Sequence, residues 1–179
     1  VLLSSLLLFS LLWLFGRVSF YQSHLARHMP PSVWRPLYGF FYFALCCFVA
    51  RTVIPLILIR TRLRSRASEY GYRLRGGFRL WWVYLGLFAL VVPVVLWVVH
   101  DADWGPRFLA KYPMCRAMIS RQTISVEHFV LYQIAYGSIF LSGESFWRGY
   151  IIQGLRRDLG WMGIAFMVIP YTMAHYGKP

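Results

Sequence analysis

The chain has 179 residues, 59% of them hydrophobic and 14% charged, with a formal net charge of +13. A soluble domain carries about a quarter charged residues; here apolar blocks alternate with basic connections, which is the pattern of a multi-pass membrane protein. Anionic head groups and the positive-inside rule account for the basic excess, so nucleic acid is set aside as a partner.

The first apolar block covers residues 1–16 and is rich in Leu and Phe. Further apolar blocks follow it, so it reads as a first spanning helix rather than a signal sequence. Residues 17–36 read as a polar connection holding Arg17, His24, Arg27, His28 and Arg35, broken by Pro30-Pro31. The second block, 37–59, is long enough to cross roughly 30 Å of hydrocarbon at about 1.5 Å per residue. It contains Arg51, a charge at membrane depth, for which two arrangements are open: pairing with Glu144, or snorkelling towards the basic loop that follows.

That loop, 60–79, carries Arg60, Arg62, Arg64, Arg66, Arg73, Arg75 and Arg79 against Glu69, which predicts that it lies in the cytoplasm. The third block, 80–100, opens with Trp81-Trp82, as an interfacial aromatic belt does, and runs outward. Residues 101–125 scatter Arg107, Lys111, Arg116 and Arg121 among apolar residues, which predicts an amphipathic segment on the membrane surface. Asp101 and Asp103 read as a solvated loop start rather than a metal site. Ser125 reads as the N-cap of a helix whose first turn holds Glu127 and His128.

The fourth block, 126–157, spans about 48 Å as a helix and must tilt, bend or protrude, with Gly137-Ser138 and Ser142-Gly143 as the bending or close-packing points. Arg156-Arg157-Asp158 and Gly160 make a short basic turn on the same side as the loop 60–79. The fifth block, 161–176, contains Pro170, expected to kink the helix one turn before His175. Cys46, Cys47 and Cys115 show no zinc or disulfide spacing and read as small buried hydrophobes. The fold class expected is all-α, a polytopic transmembrane helix bundle with about five membrane segments. Residues 1–125 supply N-terminal helices and loops, and residues 126–179 form a second region. The chain begins inside one apolar run and stops soon after another, and so reads as a fragment truncated at both ends.

The stretch Ser142-Gly143-Glu144-Ser145-Phe146-Trp147-Arg148-Gly149-Tyr150 places a carboxylate and a guanidinium within an apolar helix. Insertion scales put the cost of such groups at a few kcal/mol each, so they mark function by default. Glu144 and Arg148 are spaced i,i+4 and share one helix face, where each offsets part of the other's charge. A carboxylate and an imidazole at one depth suit hydrolysis in the bilayer, with Glu144 as general base on a water and His175 orienting it. Alternatively Glu144 and His175 are two ligands of a zinc ion. Glu144 and His175 are equidistant from a turn centred between Leu159 and Gly160, as are Arg148 and Tyr171. Each pair is thus expected at matching depth, with Glu144 and His175 Cα atoms within roughly 12 Å.

These residues resemble the CPBP family of CAAX-protease and bacteriocin-processing intramembrane endopeptidases. The family's first motif, EExxxR, is matched by GESFWRG, with Glu144 at the second glutamate and Arg148 at the arginine; Gly143 stands at the first glutamate. Its second motif, FxxxH, is matched by Tyr171 through His175, and HYGKP resembles the HxGKP of one branch. The resemblance covers residues 130–179. It implies that 126–179 is the first part of a protease core, with a further His-xxx-Asn/Asp motif beyond Pro179. It implies catalytic roles for Glu144, Arg148 and His175, and supporting roles for Tyr171 and Gly143; Arg51, a charge at membrane depth, is a further site-supporting candidate on the residues alone. It also implies peptide or prenylated-peptide substrates, a bacterial cytoplasmic membrane, and no required cofactor unless zinc is used. Two rivals remain: a catalytically inactive relative acting as a membrane binding or immunity partner, to which Gly143 points, and a transporter whose Arg51, Glu144, Arg148 and His175 line a polar path.

Overall fold

The computed structural model describes residues 1–32, 34–73, 77–113, 115 and 125–175, and among these every regular element is helical. They fall into two compact units, one from Val1–Tyr72 with Ala117–Ala174 and the other from Arg73–Arg116 with His175–Pro179.

In the first unit, α1 (Leu2–Phe15) ends at Gly16, and extended backbone at Arg17 (φ −74°, ψ 151°) breaks the helix. The chain resumes at α2 (Val18–Phe20), continues through a π turn (Tyr21–Leu25) and finishes in a 3-10 turn (Ala26–His28), bent by 43° from α1. Residues 18–28 are therefore helical, where their polar composition predicted a connection. His24 finds its partners within the helix itself: its ring stacks on Phe20 at 4.4 Å, and its Nδ1 lies 3.1 Å from the Phe20 carbonyl. Tyr21 is buried, and a methyl group on Gly39 would touch its ring at 3.2 Å.

The second apolar block forms α3 (Arg35–Phe48), a π turn (Val49–Val53) and α4 (Ile54–Thr61). Pro55, buried at the start of α4, brings no N–H and would crowd the carbonyl one turn back, so the helix widens into the π turn ahead of it. The fourth block is equally continuous: α7 (Val126–Glu144), a π turn (Ser145–Ile151) and α8 (Ile152–Leu159). Ser125 caps α7 as expected, its Oγ accepting from the His128 N–H at 3.2 Å. Gly160, at φ +54°, and Trp161 make the turn into α9 (Met162–His175), which contains Pro170.

Ring contacts give the directions of these helices. Trp34 stacks on His128 at 4.3 Å and Phe40 on Tyr132 at 5.0 Å, while Thr52 bonds Ser145 at 3.1 Å, so α3–α4 and α7–α8 run parallel. In α1, Ser4 meets Tyr150 at 2.8 Å and Phe9 meets Trp147 at 5.9 Å, so α1 runs antiparallel to both. In the α8–α9 hairpin Tyr171 faces Trp147, one position from the expected partner Arg148. Trp147 meets Tyr171 edge-on at 6.1 Å, and a methyl group on Gly163 would lie 3.2 Å from Leu155 Cβ.

The core of this unit gathers Leu8, Ile59, Tyr70, Phe146, Trp147, Tyr150, Ile151, Leu155 and Met167. Four of these come from the π turn Ser145–Ile151, and the basic loop supplies Tyr70 from a 3-10 turn, Ala67–Tyr70, that folds back onto it. Tyr70 stands 6.2 Å from Tyr150, so residues 67–72 and α8 share one end of the bundle.

In the second unit, α5 (Trp81–His100) is apolar on every face and buries none of its side chains. Asp101 Oδ1 then accepts from the backbone N–H groups of Asp103 at 3.0 Å and Trp104 at 2.9 Å, in the turn that leads into α6 (Trp104–Lys111). That is a loop-start role, as the sequence suggested. The amphipathic segment expected over 101–125 is helical over α6, and Arg116 and Arg121 lie outside the described residues. Cys47 and Cys115 are buried and none of the three cysteines is in a disulfide.

By length and apolarity, Leu37–Thr61 and Trp81–His100 are each able to cross a membrane, and Leu2–Phe15 with Val18–His28 makes a third if the bent pair is one span. Met162–Met173 is shorter.

Candidate active site

The candidate site begins with a run of serines. Ser138, Ser142 and Ser145 each donate Oγ–H to the carbonyl three residues back, to Ala135 at 2.7 Å, Ile139 at 3.0 Å and Ser142 at 3.0 Å. Such back-bonding competes with the regular helix ladder and loosens it. The π turn follows at once, at Ser145. The expected break near Ser142-Gly143 therefore takes the form of a widened turn just beyond it. π turns recur at functional sites because they re-aim side chains without ending the helix.

Here the widened turn sorts the motif by chemistry. Phe146, Trp147, Tyr150 and Ile151 point into the core, with Phe146 and Tyr150 each only 1% exposed. Glu144 and Arg148 are left on the open side, where Arg148 Nε lies 2.7 Å from Glu144 Oε2 and the side chains are 68% (Arg148) and 25% (Glu144) exposed. The i,i+4 pairing read from the sequence is thus present, and it is no buried structural ion pair. One carboxylate oxygen is held by the guanidinium and Oε1 has no hydrogen bond to the described protein.

Arg51 follows neither arrangement the sequence left open. Glu144 is taken by Arg148, and Arg51 turns sideways rather than towards the loop: its Nη1 would touch a methyl group on Gly143 at 3.7 Å. Its Nε is buried without a hydrogen-bond partner. The next residue, Thr52, bonds Ser145, so the π turn of α3–α4 is joined to the π turn of α7–α8. Gly143 supplies the gap into which Arg51 fits.

Tyr171 is half-buried on α9 against Trp147. His175 follows it by one turn and ends the same helix, but its side chain lies outside the described residues, and with it the expected approach to Glu144. Among the described residues no three His, Cys, Asp or Glu side chains cluster as a metal site would require.

Three features were not read from the sequence. Gly149 lets the basic loop approach, since a Cβ there would stand 2.7 Å from the Tyr70 carbonyl oxygen. Its position directly after Arg148 was the available signal. Thr52 and Ser145 join the two π turns, and nothing in their spacing announces it. The third is an apolar groove of about 580 Å³ between α1 and α9, lined by Phe9, Ser10, Trp13, Leu14, Pro170 and Met173. It adjoins Tyr171 through Pro170.

Comparison of the chain with protein-family models, with curated proteins and with solved structures finds no match.

Proposed function

We propose that this protein is a CPBP-type intramembrane endopeptidase, with Glu144 as the base that activates water. The observation that carries the reading is the Glu144–Arg148 pair at 2.7 Å, held on a π turn whose apolar residues are buried and whose ionic residues are not. Two charges set into an apolar helix and left open are costly as framework and useful as chemistry. In this mechanism Glu144 Oε1 takes a proton from water, and the oxygen attacks the peptide carbonyl carbon. The proton then passes to the leaving amine as the C–N bond breaks. Arg148 keeps Oε2 engaged and fixes the carboxylate's orientation. The sequence resemblance gives His175 the part of orienting the water. The groove beside Tyr171 suits the apolar residues or prenyl chain of a membrane-borne peptide, buried at about 25 cal/mol per Å².

In this reading the chain contributes five membrane segments. One of these is α5, which at about 30 Å is long enough to cross by itself. The basic loop 60–79 and the turn at 156–160 then face the cytoplasm.

The test is cleavage by the full-length protein in proteoliposomes, offered a prenylated CAAX-type peptide, a leader peptide and a sorting tail. At least one is cut, and His175→Ala slows that cut by about 10²–10⁴-fold, the range for a proton-handling or water-orienting group. Failure of the wild type on all three would instead favour a catalytically inactive relative that binds a partner. One observation supports that second reading: Gly143 occupies the position of the family's first glutamate, with the Arg51 guanidinium beside it.

A further inference from the structure

Where α5 turns into α6, the two helices border a pocket of about 400 Å³ lined by Trp97, Val98, Trp104, Arg107 and Phe108. It belongs to the second unit alone and takes no part in the hydrolysis above. Four of the five lining residues are apolar and the fifth is a cation. Arg107 is exposed, and its guanidinium lies over the Trp104 ring, 5.5 Å from the centroid. Among the described residues it pairs with no carboxylate. Asp103, one helical turn before it, makes no ion pair, and Asp101 Oδ1 accepts from the backbone N–H groups of Asp103 and Trp104.

Such a pocket matches an amphiphile. The rings and Val98 suit an apolar chain, and the planar fork of the guanidinium suits paired phosphate oxygens. Position selects which amphiphile. α5 has 20 residues and is about 30 Å long, the thickness of the hydrocarbon layer of a bilayer. Trp97 and Val98 stand in its last turn, so the pocket lies at the level where hydrocarbon gives way to head groups. Trp97 and Trp104, 65% and 55% exposed, are of the residue type that settles at that boundary. The anion at that level is a lipid phosphate, with its acyl chains directly beneath. A free anion leaves the apolar walls unused, and a neutral oil leaves the guanidinium unpaired.

We propose that the α5–α6 pocket is a binding site for a phospholipid, with its phosphate on Arg107 and an acyl chain against Trp97, Val98, Trp104 and Phe108. The site rests on α5 as a membrane segment and not on hydrolysis, so it is independent of the role given to Glu144.

The experiment places the full-length protein in phosphatidylcholine nanodiscs with a trace of phosphatidylglycerol that carries a diazirine on its acyl chain near the glycerol. A parallel sample holds diacylglycerol with the same label and no phosphate. After illumination, the crosslinked residues are mapped by peptide mass spectrometry. The phosphatidylglycerol probe labels the pocket residues about 10-fold more than the diacylglycerol probe, the worth of a charge-assisted contact. That preference disappears in Arg107→Gln and survives in part in Arg107→Lys, which keeps the charge. Equal labelling of the pocket by the two probes overturns the proposal, as does a preference that persists in Arg107→Gln. Loss of the preference in excess inorganic phosphate assigns Arg107 to a free anion and overturns the lipid assignment. Labelling confined to the middle of α5 means ordinary lipid contact, and no labelling anywhere on α5 removes the membrane segment itself; either result overturns the site.

Discussion

At the scale of single residues, the core around the motif depends on hydroxyl groups that have only one arrangement open to them. Ser4 Oγ donates its one proton to the Val1 carbonyl at 2.7 Å, so the bond between Ser4 and Tyr150, at 2.8 Å, is donated by the tyrosine. Tyr150 is 1% exposed, so its hydroxyl has no water to fall back on. Tyr150→Phe should lower stability by about 0.5–1.5 kcal/mol, the usual worth of such a bond. Thermal unfolding in detergent with no change between the two would mean that the bond contributes nothing. The Glu144–Arg148 pair was legible in the sequence because i,i+4 spacing survives even a widened turn. Arg51 was not, because a helix pattern says which residues are apolar and not which glycine on another helix a long side chain will meet.

At the scale of elements, glycines decide how closely the pieces approach. A Cβ on Gly149 would stand 2.7 Å from a backbone oxygen of the basic loop, which cannot swing aside as a side chain can. Gly143 has only the Arg51 Nη1 at 3.7 Å, an ordinary contact distance. Gly149→Ala is therefore expected to cost about 1–3 kcal/mol through overpacking. Gly143→Ala should be neutral or stabilising by roughly 0.5–1 kcal/mol, since glycine is a poor helix former. The two variants, unfolded side by side, check the contrast; equal effects would contradict the close approach at Gly149. Hydropathy located the helices at 37–61, 81–100, 126–159 and 162–175 to within a few residues, because apolar block length is the signal that membrane helices leave. It missed 18–28, where Arg17, His24, Arg27 and His28 outweighed the apolar Val18, Phe20, Tyr21 and Leu25 in the same stretch. It also missed the π turns, which add one residue to a helix without changing its composition.

At the scale of the molecule, parallel packing of α3–α4 with α7–α8 brings residues 62–72 of the basic loop and the α8–α9 turn to one end of the bundle. Single cysteines placed at Arg62 and at Asp158, after Cys46, Cys47 and Cys115 are replaced, should be labelled by an impermeant reagent from the same side of the membrane. Labelling from opposite sides would contradict the helix directions. That shared end was legible from arginine placement alone, whereas the parallel pairing that produces it was not, since contacts such as Phe40 with Tyr132 join residues far apart in the chain.

The central claim is that Glu144 activates water. Its direct test is cleavage by the full-length Glu144→Gln variant in proteoliposomes, beside the wild type and with folding checked by thermal unfolding. The substitution keeps the shape of the side chain and removes the proton acceptor, so the folded variant should lose cleavage by about 10²-fold or more. Turnover equal to the wild type would contradict the account.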